Sequence, residues 1–187
     1  MEETDEQLVH AYRSGDEAVF TVLVDRYMKH LYHFVLQFVN DPATAEDIVQ
    51  ETFVKAWKHL SRFDDNKSFK TWIFAIAKNT TYDALKKKKT LPFSLFIDEE
   101  GRNTLENTAD QSPKVEDMLD LEATAQELTR VLSTLTPLYR SLLVLHYQEY
   151  FSLHEIAEIL GEPYNTIKSR HQRALQALKK ALLTPAS

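Results

Sequence analysis

Cysteine is absent from this 187-residue chain, so it can build neither a disulfide framework nor a thiol switch. With only three glycines and no sustained alternation of apolar and polar residues, hairpins and sheets have little sequence support. No apolar run approaches the ~20 residues that cross a bilayer. The chain also lacks a G-x-x-x-x-G-K-[ST] phosphate loop, a nucleophile elbow and a triad signature, so nothing in it supports an enzyme. Its opening, Met1-Glu2-Glu3-Thr4-Asp5-Glu6, is acidic where a secretory leader would be basic and then apolar. A soluble, cytoplasmic protein with no membrane insertion of its own is expected. What is present is a globular composition, 43% hydrophobic and 27% charged, enough for one ordinary domain or two small ones.

The net charge of −6 argues against a nucleic-acid partner only until its distribution is read. From Pro163 to Ser187 there is no acidic residue, and Lys168, Arg170, Arg173, Lys179 and Lys180 contribute +5. Lys86 to Lys89 form a compact +4. Between Asp98 and Glu127, ten carboxylates face only Arg102 and Lys114, a balance of −8. Charge sorted into blocks this way fits anionic ligands at two places with a repelling segment between them. An isolated lysine run, taken alone, is more often simply a solvated helix end.

Nearly every segment reads as helix, so the expected fold is all-α. Thr4-x-x-Gln7 is a capping box for a short helix closed at Gly15. Asp16 to Asn40 is broadly apolar and deeply buried, as one bent helix or two. Asp41-Pro42 supplies an N-cap and a first-turn proline for a helix running to about Leu60. Another helix starts near Ser68 and ends around the lysine run. The pattern dissolves from Thr90 to Ser112. Ser112-Pro113 caps a helix reaching about Leu135, Thr136-Pro137 caps the next, and Ser152-x-x-Glu155 opens a third. Gly161-Glu162-Pro163 makes a turn before a last helix, roughly Tyr164 to Leu183. Two small helical domains, 1–90 and 113–187, joined by a flexible acidic linker at 91–112, are therefore expected, the second with a helix-turn-helix outline.

Three surfaces stand out. At 100° per residue, Ala45, Ile48, Val49, Thr52, Phe53, Ala56 and Leu60 share one helix face. The other face holds Asp47, Glu51 and Lys58, yet also Val54, flanked by Gln50 and Trp57. That is either a small docking surface or an amphipathic helix whose Trp tucks under a loop. In the helix from Ser68, Phe69, Trp72, Ile73, Ile76, Ala77 and Thr80 make a core stripe, while Thr71, Phe74, Lys78, Tyr82, Leu85 and Lys89 lie opposite. Aromatics among lysines can stack unpaired bases, or the rings can pack against Phe93 or Phe96 of the linker. In the last helix, Ile167, Ala174, Leu175, Leu178 and Leu182 oppose Thr166, Ser169, Arg173, Gln176 and Lys180, with Arg170 on the flank. Arginine can pair a guanine edge bidentately, and Thr, Ser and Lys can hold phosphates.

The stretch Ala45 to Trp57 resembles the core-polymerase-binding region of bacterial sigma factors, in the short two-domain kind called extracytoplasmic-function (ECF) sigma factors of the sigma-70 family. The likeness continues through Phe69-Lys70-Thr71-Trp72-Ile73-Phe74-Ala75-Ile76-Ala77-Lys78-Asn79 and Asp83, and resumes in the helix-turn-helix. It covers roughly 8–90 and 120–183. The resemblance implies an alternative sigma factor that directs promoter-specific transcription initiation, with core RNA polymerase and promoter DNA as partners and an anti-sigma factor as inhibitor. It implies that Asp47, Gln50, Glu51, Val54 and Trp57 meet polymerase. It assigns Asn66, Lys67, Phe74, Lys78, Asn79 and Tyr82 to the melted −10 strand, with the loop Phe63 to Lys67 as the rim of a base pocket. It assigns Asn165, Thr166, Lys168, Ser169, Arg170, Arg173, Gln176 and Lys180 to the −35 duplex. Two departures affect the −35 set. Asn165 stands where the family usually has glycine, and Leu175 where arginine is common.

No cofactor is expected. The seven histidines, His30 and His33 among them, have no cysteine or carboxylate companions at ligand spacing, which speaks against a metal site. Two other readings remain at this stage. A free-standing helix-turn-helix regulator predicts dimers on palindromic operators, and a helical interaction protein would make the basic last helix incidental.

Overall fold

A computed structural model describes residues 3–39, 41–88 and 125–183, and every regular element among them is helical. Helix α1 (Asp5–Arg13) opens on the expected box: Gln7 N–H donates to Thr4 Oγ1 at 3.3 Å, and Thr4 N–H to Gln7 Oε1 at 2.9 Å. Its Leu8 and Val9 are buried against α2 (Val19–Val39), and Tyr27 on α2 donates its hydroxyl to Asp5. Burial holds the Tyr27 hydroxyl far above its usual pKa, with the Asp5 carboxylate adding to the effect. The apolar stretch expected from Asp16 is thus a single helix from Val19. Helix α3 (Pro42–His59) starts where Asp41 accepts from Thr44 N–H at 3.0 Å, and a short 3-10 turn, Leu60–Arg62, continues it. The stripe read from the sequence is the buried one: Ala45, Ile48, Val49, Thr52, Phe53, Ala56 and Leu60 all face inward.

Helix α4 (Phe69–Lys88) packs on α2 and α3 and carries buried residues around much of its circumference, among them Phe69, Thr71, Ile73, Phe74, Ala77, Thr80, Thr81 and Leu85. A helix apolar on more than one side needs a second cover. The C-terminal unit supplies it.

That unit comprises α5 (Ala125–Thr134), α6 (Pro137–Leu143) continued by one π-helical turn (Val144–Gln148), α7 (Leu153–Leu160) and α8 (Tyr164–Leu183). The caps expected at Thr136 and Ser152 are formed, the latter as a full box with Glu155. Gly161 ends α7 at φ +69°, the left-handed region in which a side chain costs about 1 kcal/mol. A small core of Leu135, Leu143, Ala174 and Leu175 holds α8 in place. Leu175, at the position where the family often has arginine, is therefore a core residue. The linker 91–112 and the cap at Ser112 lie outside the described residues.

The larger core does not stop at the edge of either unit. Leu142, Leu145, Phe151, Ile156, Ile159, Leu160 and Ile167 join Phe34, Phe38 and Phe74 in one continuous cluster. Phe34 sits at its centre, with Phe38 at 5.3 Å and Phe74 at 5.4 Å between ring centroids. Phe34→Ala is expected to lower unfolding free energy by about 3–5 kcal/mol, read from the midpoint of a urea titration.

Candidate nucleic-acid interface

Asp47, Gln50, Glu51, Val54 and Trp57 are all exposed along one side of α3. Val54 and Trp57 keep 49% and 47% of their surfaces in water, so no loop among the described residues covers the indole. Glu51 pairs with Lys55 at 3.0 Å, a surface contact worth a few tenths of a kcal/mol. The result is an apolar spot ringed by charge on a rigid helix.

The loop before α4 is more ordered than its sequence suggests. Asp64 accepts from both the backbone N–H and the side-chain amide of Asn66, at 3.1 and 3.0 Å. Those bonds, the backbone one foremost, lower the Asp64 pKa. Asp65 is bridged by Arg13 at 2.6 Å, and the same guanidinium donates to the Phe63 carbonyl. Arg13 thus neutralises one of the two carboxylates that would repel a phosphate, a role with no local signal in the chain because the pair is 52 residues apart. Asn66 and Lys67 are left exposed at the loop tip.

On α4 the −10 candidates divide. Asn79 is exposed and Lys78 half-buried. Lys78 donates to Asn79 Oδ1 at 3.2 Å, and its ammonium lies 5.2 Å from the centre of the Tyr82 ring. Partial burial lowers the Lys78 pKa against the opposing pull of Glu162. Tyr82 is largely packed on Phe38, and burial pushes its hydroxyl up to about 12. Phe74 is a correction. Expected on the nucleic-acid side, it is 0% exposed, between Phe34 and Phe151. Helical spacing put it off the Phe69 stripe correctly, but the side it occupies is itself covered, by Phe34 and by Phe151 of the C-terminal unit; Phe93 and Phe96 lie outside the described residues.

Along α8, Asn165, Lys168, Ser169, Gln176 and Lys180 are exposed, with Thr166 and Arg173 half-buried beside them. Spacings of three and four put these residues on one stripe, running from the helix-turn-helix turn toward the C-terminus. Arg173 Nε donates to the Ser169 carbonyl at 3.4 Å. Arg170 is the second correction. It is 4% exposed and bound to Glu162 at 2.8 Å, so it braces the turn instead of projecting outward. At the end of α6, the His146 Nδ1–H donates to the Phe151 carbonyl at 2.7 Å. Tyr147 Oη lies 3.0 Å from His171 Nε2.

Sequence comparison assigns both units. Residues 23–90 match Sigma-70 region 2, and residues 125–178 match Sigma-70 region 4. An ECF RNA polymerase sigma factor of Bacillus subtilis, SigW, is 33% identical over 97% of this chain and 98% of its own length. The chain belongs to the ECF sigma factors. The RNA polymerase sigma-H factor of Pseudomonas aeruginosa is 31% identical, covering 97% of this chain and 95% of that one. Among solved structures, CnrH in complex with the cytosolic domain of CnrY superposes with a TM-score of 0.66 at 25% identity, over 96% of this chain and 97% of that one. The sigma factor RpoE of Bartonella quintana, in complex with the anti-sigma factor NepR, gives 0.62 at 27% identity, over 89% and 98%. The apolar spot on α3 and all the −10 candidates thus fall within region 2, and the α8 stripe up to Gln176 within region 4. Region 2 also fills the place where a free-standing regulator of this sigma factor's size would need a sensor or dimerisation module.

Burial, with a smaller contribution from neighbouring His146, drives the His171 pKa down to about 4 from an ordinary 6.5. Between these values the unfolded chain binds the proton and the folded one does not, so stability falls as pH drops from 6.5 toward 4. Allowing for the ring's remaining exposure, the loss is about 1 kcal/mol. Urea midpoints at pH 7 and 4.5 should differ less in His171→Asn than in the unaltered protein.

Proposed function

We propose that this sigma factor engages core RNA polymerase through Asp47, Gln50, Glu51, Val54 and Trp57. A half-exposed indole beside Val54, on a helix whose opposite face is fully packed, carries this reading. An aromatic anchor on a rigid support, ringed by polar groups, is the usual composition of a binding hot spot. The second element is the face of Lys78, Asn79 and Tyr82 with the loop tip Asn66 and Lys67. It supports capture of the unpaired −10 strand by cation and ring contacts rather than by chemistry on the base. The third is the α8 stripe of Asn165, Thr166, Lys168, Ser169, Arg173, Gln176 and Lys180, which suits the −35 duplex, with Arg170 holding the turn in shape.

In this reading residues 1–90 and 113–187 are the two working domains and 91–112 the linker. The protein acts in the cytoplasm, catalyses nothing itself, and carries no cofactor. Neither DNA surface needs high affinity alone, because one polymerase presents both at high effective concentration. An anti-sigma factor, the kind of partner present in the Bartonella relative's structure, completes the set of partners.

Trp57→Ala should weaken core-polymerase binding at least tenfold, measured by fluorescence anisotropy, with an unchanged circular dichroism spectrum. Loss of the helical signal would make Trp57 a core residue instead. In the assembled holoenzyme, Lys78→Ala should slow promoter opening, followed by permanganate footprinting, while leaving polymerase association intact. Equal loss of both would remove Lys78 from the strand-holding face.

A further inference from the structure

The two helices of the helix-turn-helix are joined by more than their turn. His154, in the first turn of α7, and Tyr164, which opens α8, lie face to face, with ring centroids 4.0 Å apart and planes 13° from parallel. Both residues are exposed, Tyr164 to 36%. The turn between them has a fixed shape, set by Gly161 at φ +69° and by Glu162 bound to Arg170 at 2.8 Å. The stack adds little to the core, yet it fixes the plane of the Tyr164 ring. Neither the Tyr164 hydroxyl nor the His154 imidazole has a hydrogen-bond partner among the described residues.

The charges around this aromatic step favour an anion. Glu155 is spent on its capping box, accepting from the Ser152 backbone at 2.8 Å and from the Ser152 hydroxyl at 2.7 Å, and Glu162 is held by Arg170. On α8 the next turn after Tyr164 brings exposed Lys168, and no acidic residue follows Glu162 in the chain. On α7 the exposed Glu158, one turn past His154, bounds the surface.

A helix-turn-helix enters the major groove by the starting end of its second helix, while its first helix crosses the sugar-phosphate backbone. The step bridges those two helices at their starts. It therefore stands where groove meets backbone, outside the α8 stripe already described, and it offers a neutral hydroxyl. Hydroxyls of this kind contact phosphate oxygens and fix register without reading sequence.

We propose that Tyr164 donates its hydroxyl to one phosphate at the edge of the −35 duplex, and that His154 positions the ring for this contact by stacking against it. The proposal rests on the assignment of the α8 stripe to that duplex. A phosphate held by a ring that cannot swing limits how far α8 slides along the groove, while Lys168 and Arg173 supply the attraction. One measurable property separates the two kinds of contact. A cation meeting a phosphate releases a counterion from the duplex and a neutral hydroxyl does not, so losing the Tyr164 contact lowers affinity without changing its salt dependence.

The probe is a duplex selected by the holoenzyme, core polymerase with the full chain, from a library randomised across both promoter elements. Affinity is followed by fluorescence anisotropy at several salt concentrations, and phosphate contacts by ethylation interference. Tyr164→Phe keeps the ring and removes only the hydroxyl. It should weaken binding about tenfold, leave the salt slope unchanged and abolish interference at one phosphate beside the −35 element. Lys168→Ala should instead reduce the salt slope by about 1. His154→Ala should reproduce part of the Tyr164→Phe loss, and His154→Phe, which restores a stacked ring, should recover it, with urea midpoints confirming that each variant is folded.

Unaltered affinity and an unaltered interference pattern in Tyr164→Phe would overturn the phosphate contact. So would weaker binding with every phosphate still sensitive, which would put the hydroxyl on a base. If His154→Phe fails to recover what His154→Ala loses, the imidazole does not act by stacking. Should Lys168→Ala and Arg173→Ala leave affinity untouched while Tyr164→Phe still loses its phosphate, the α8 stripe is misassigned and the Tyr164 contact stands.

Discussion

A twenty-residue helix with apolar side chains on more than one side is stable in water only where each of those sides is covered, and α4 is such a helix. Helices α2 and α3 cover part of its circumference and α7 with Phe151 covers another part, the two covers meeting at Phe74, which touches Phe34 on one side and Phe151 on the other. Exposing a phenylalanine of this kind costs roughly 1.5–3 kcal/mol, and Ile156, Ile159 and Leu160 raise the total. The continuity of the core across two sigma regions follows from that requirement. The helix-turn-helix turn, with Gly161 and Glu162, accordingly comes to lie beside Lys78.

Electrostatics then decides how the covered state is specified. Apolar burial is non-directional and would tolerate several placements of region 4. A carboxylate removed from water tolerates very few, since it must meet its cations at hydrogen-bond distance. Glu149, with its side chain 2% exposed, accepts from His30 of α2 at 2.9 Å and lies 4.0 Å from Lys70 of α4, so it fixes the register of region 4 along α4. Glu162 with Arg170 fixes the turn over Lys78. Arg13 does the corresponding work at the loop rim through Asp65. In each case a charge that looks dispensable in the sequence orients a surface whose energy comes from elsewhere.

The local layer of this organisation was legible before any coordinates. Capping boxes at Thr4 and Ser152, the Asp41 and Thr136 caps and the left-handed Gly161 all depend on residues within four positions of one another, and all lie where the sequence put them. The inward stripe of α3 was equally readable from its period. Phe74 and Arg170 were not, for a common reason. Periodicity tells which residues share a face but not whether another part of the chain covers that face. Phe74 was placed on the correct side of α4, and its cover comes from Phe151. Glu149 could not have been found at all, since His30 lies 119 residues away and nothing local marks the pair. Tyr150 is silent in sequence too, because a tyrosine gives no signal of a left-handed backbone.

A core that runs through both regions also joins their stabilities. A cavity opened at Phe34, in region 2, removes support from Phe74 and through it from Phe151, in region 4. Damage in one region is therefore felt in the other, and substitutions on the two sides of that contact should not act independently.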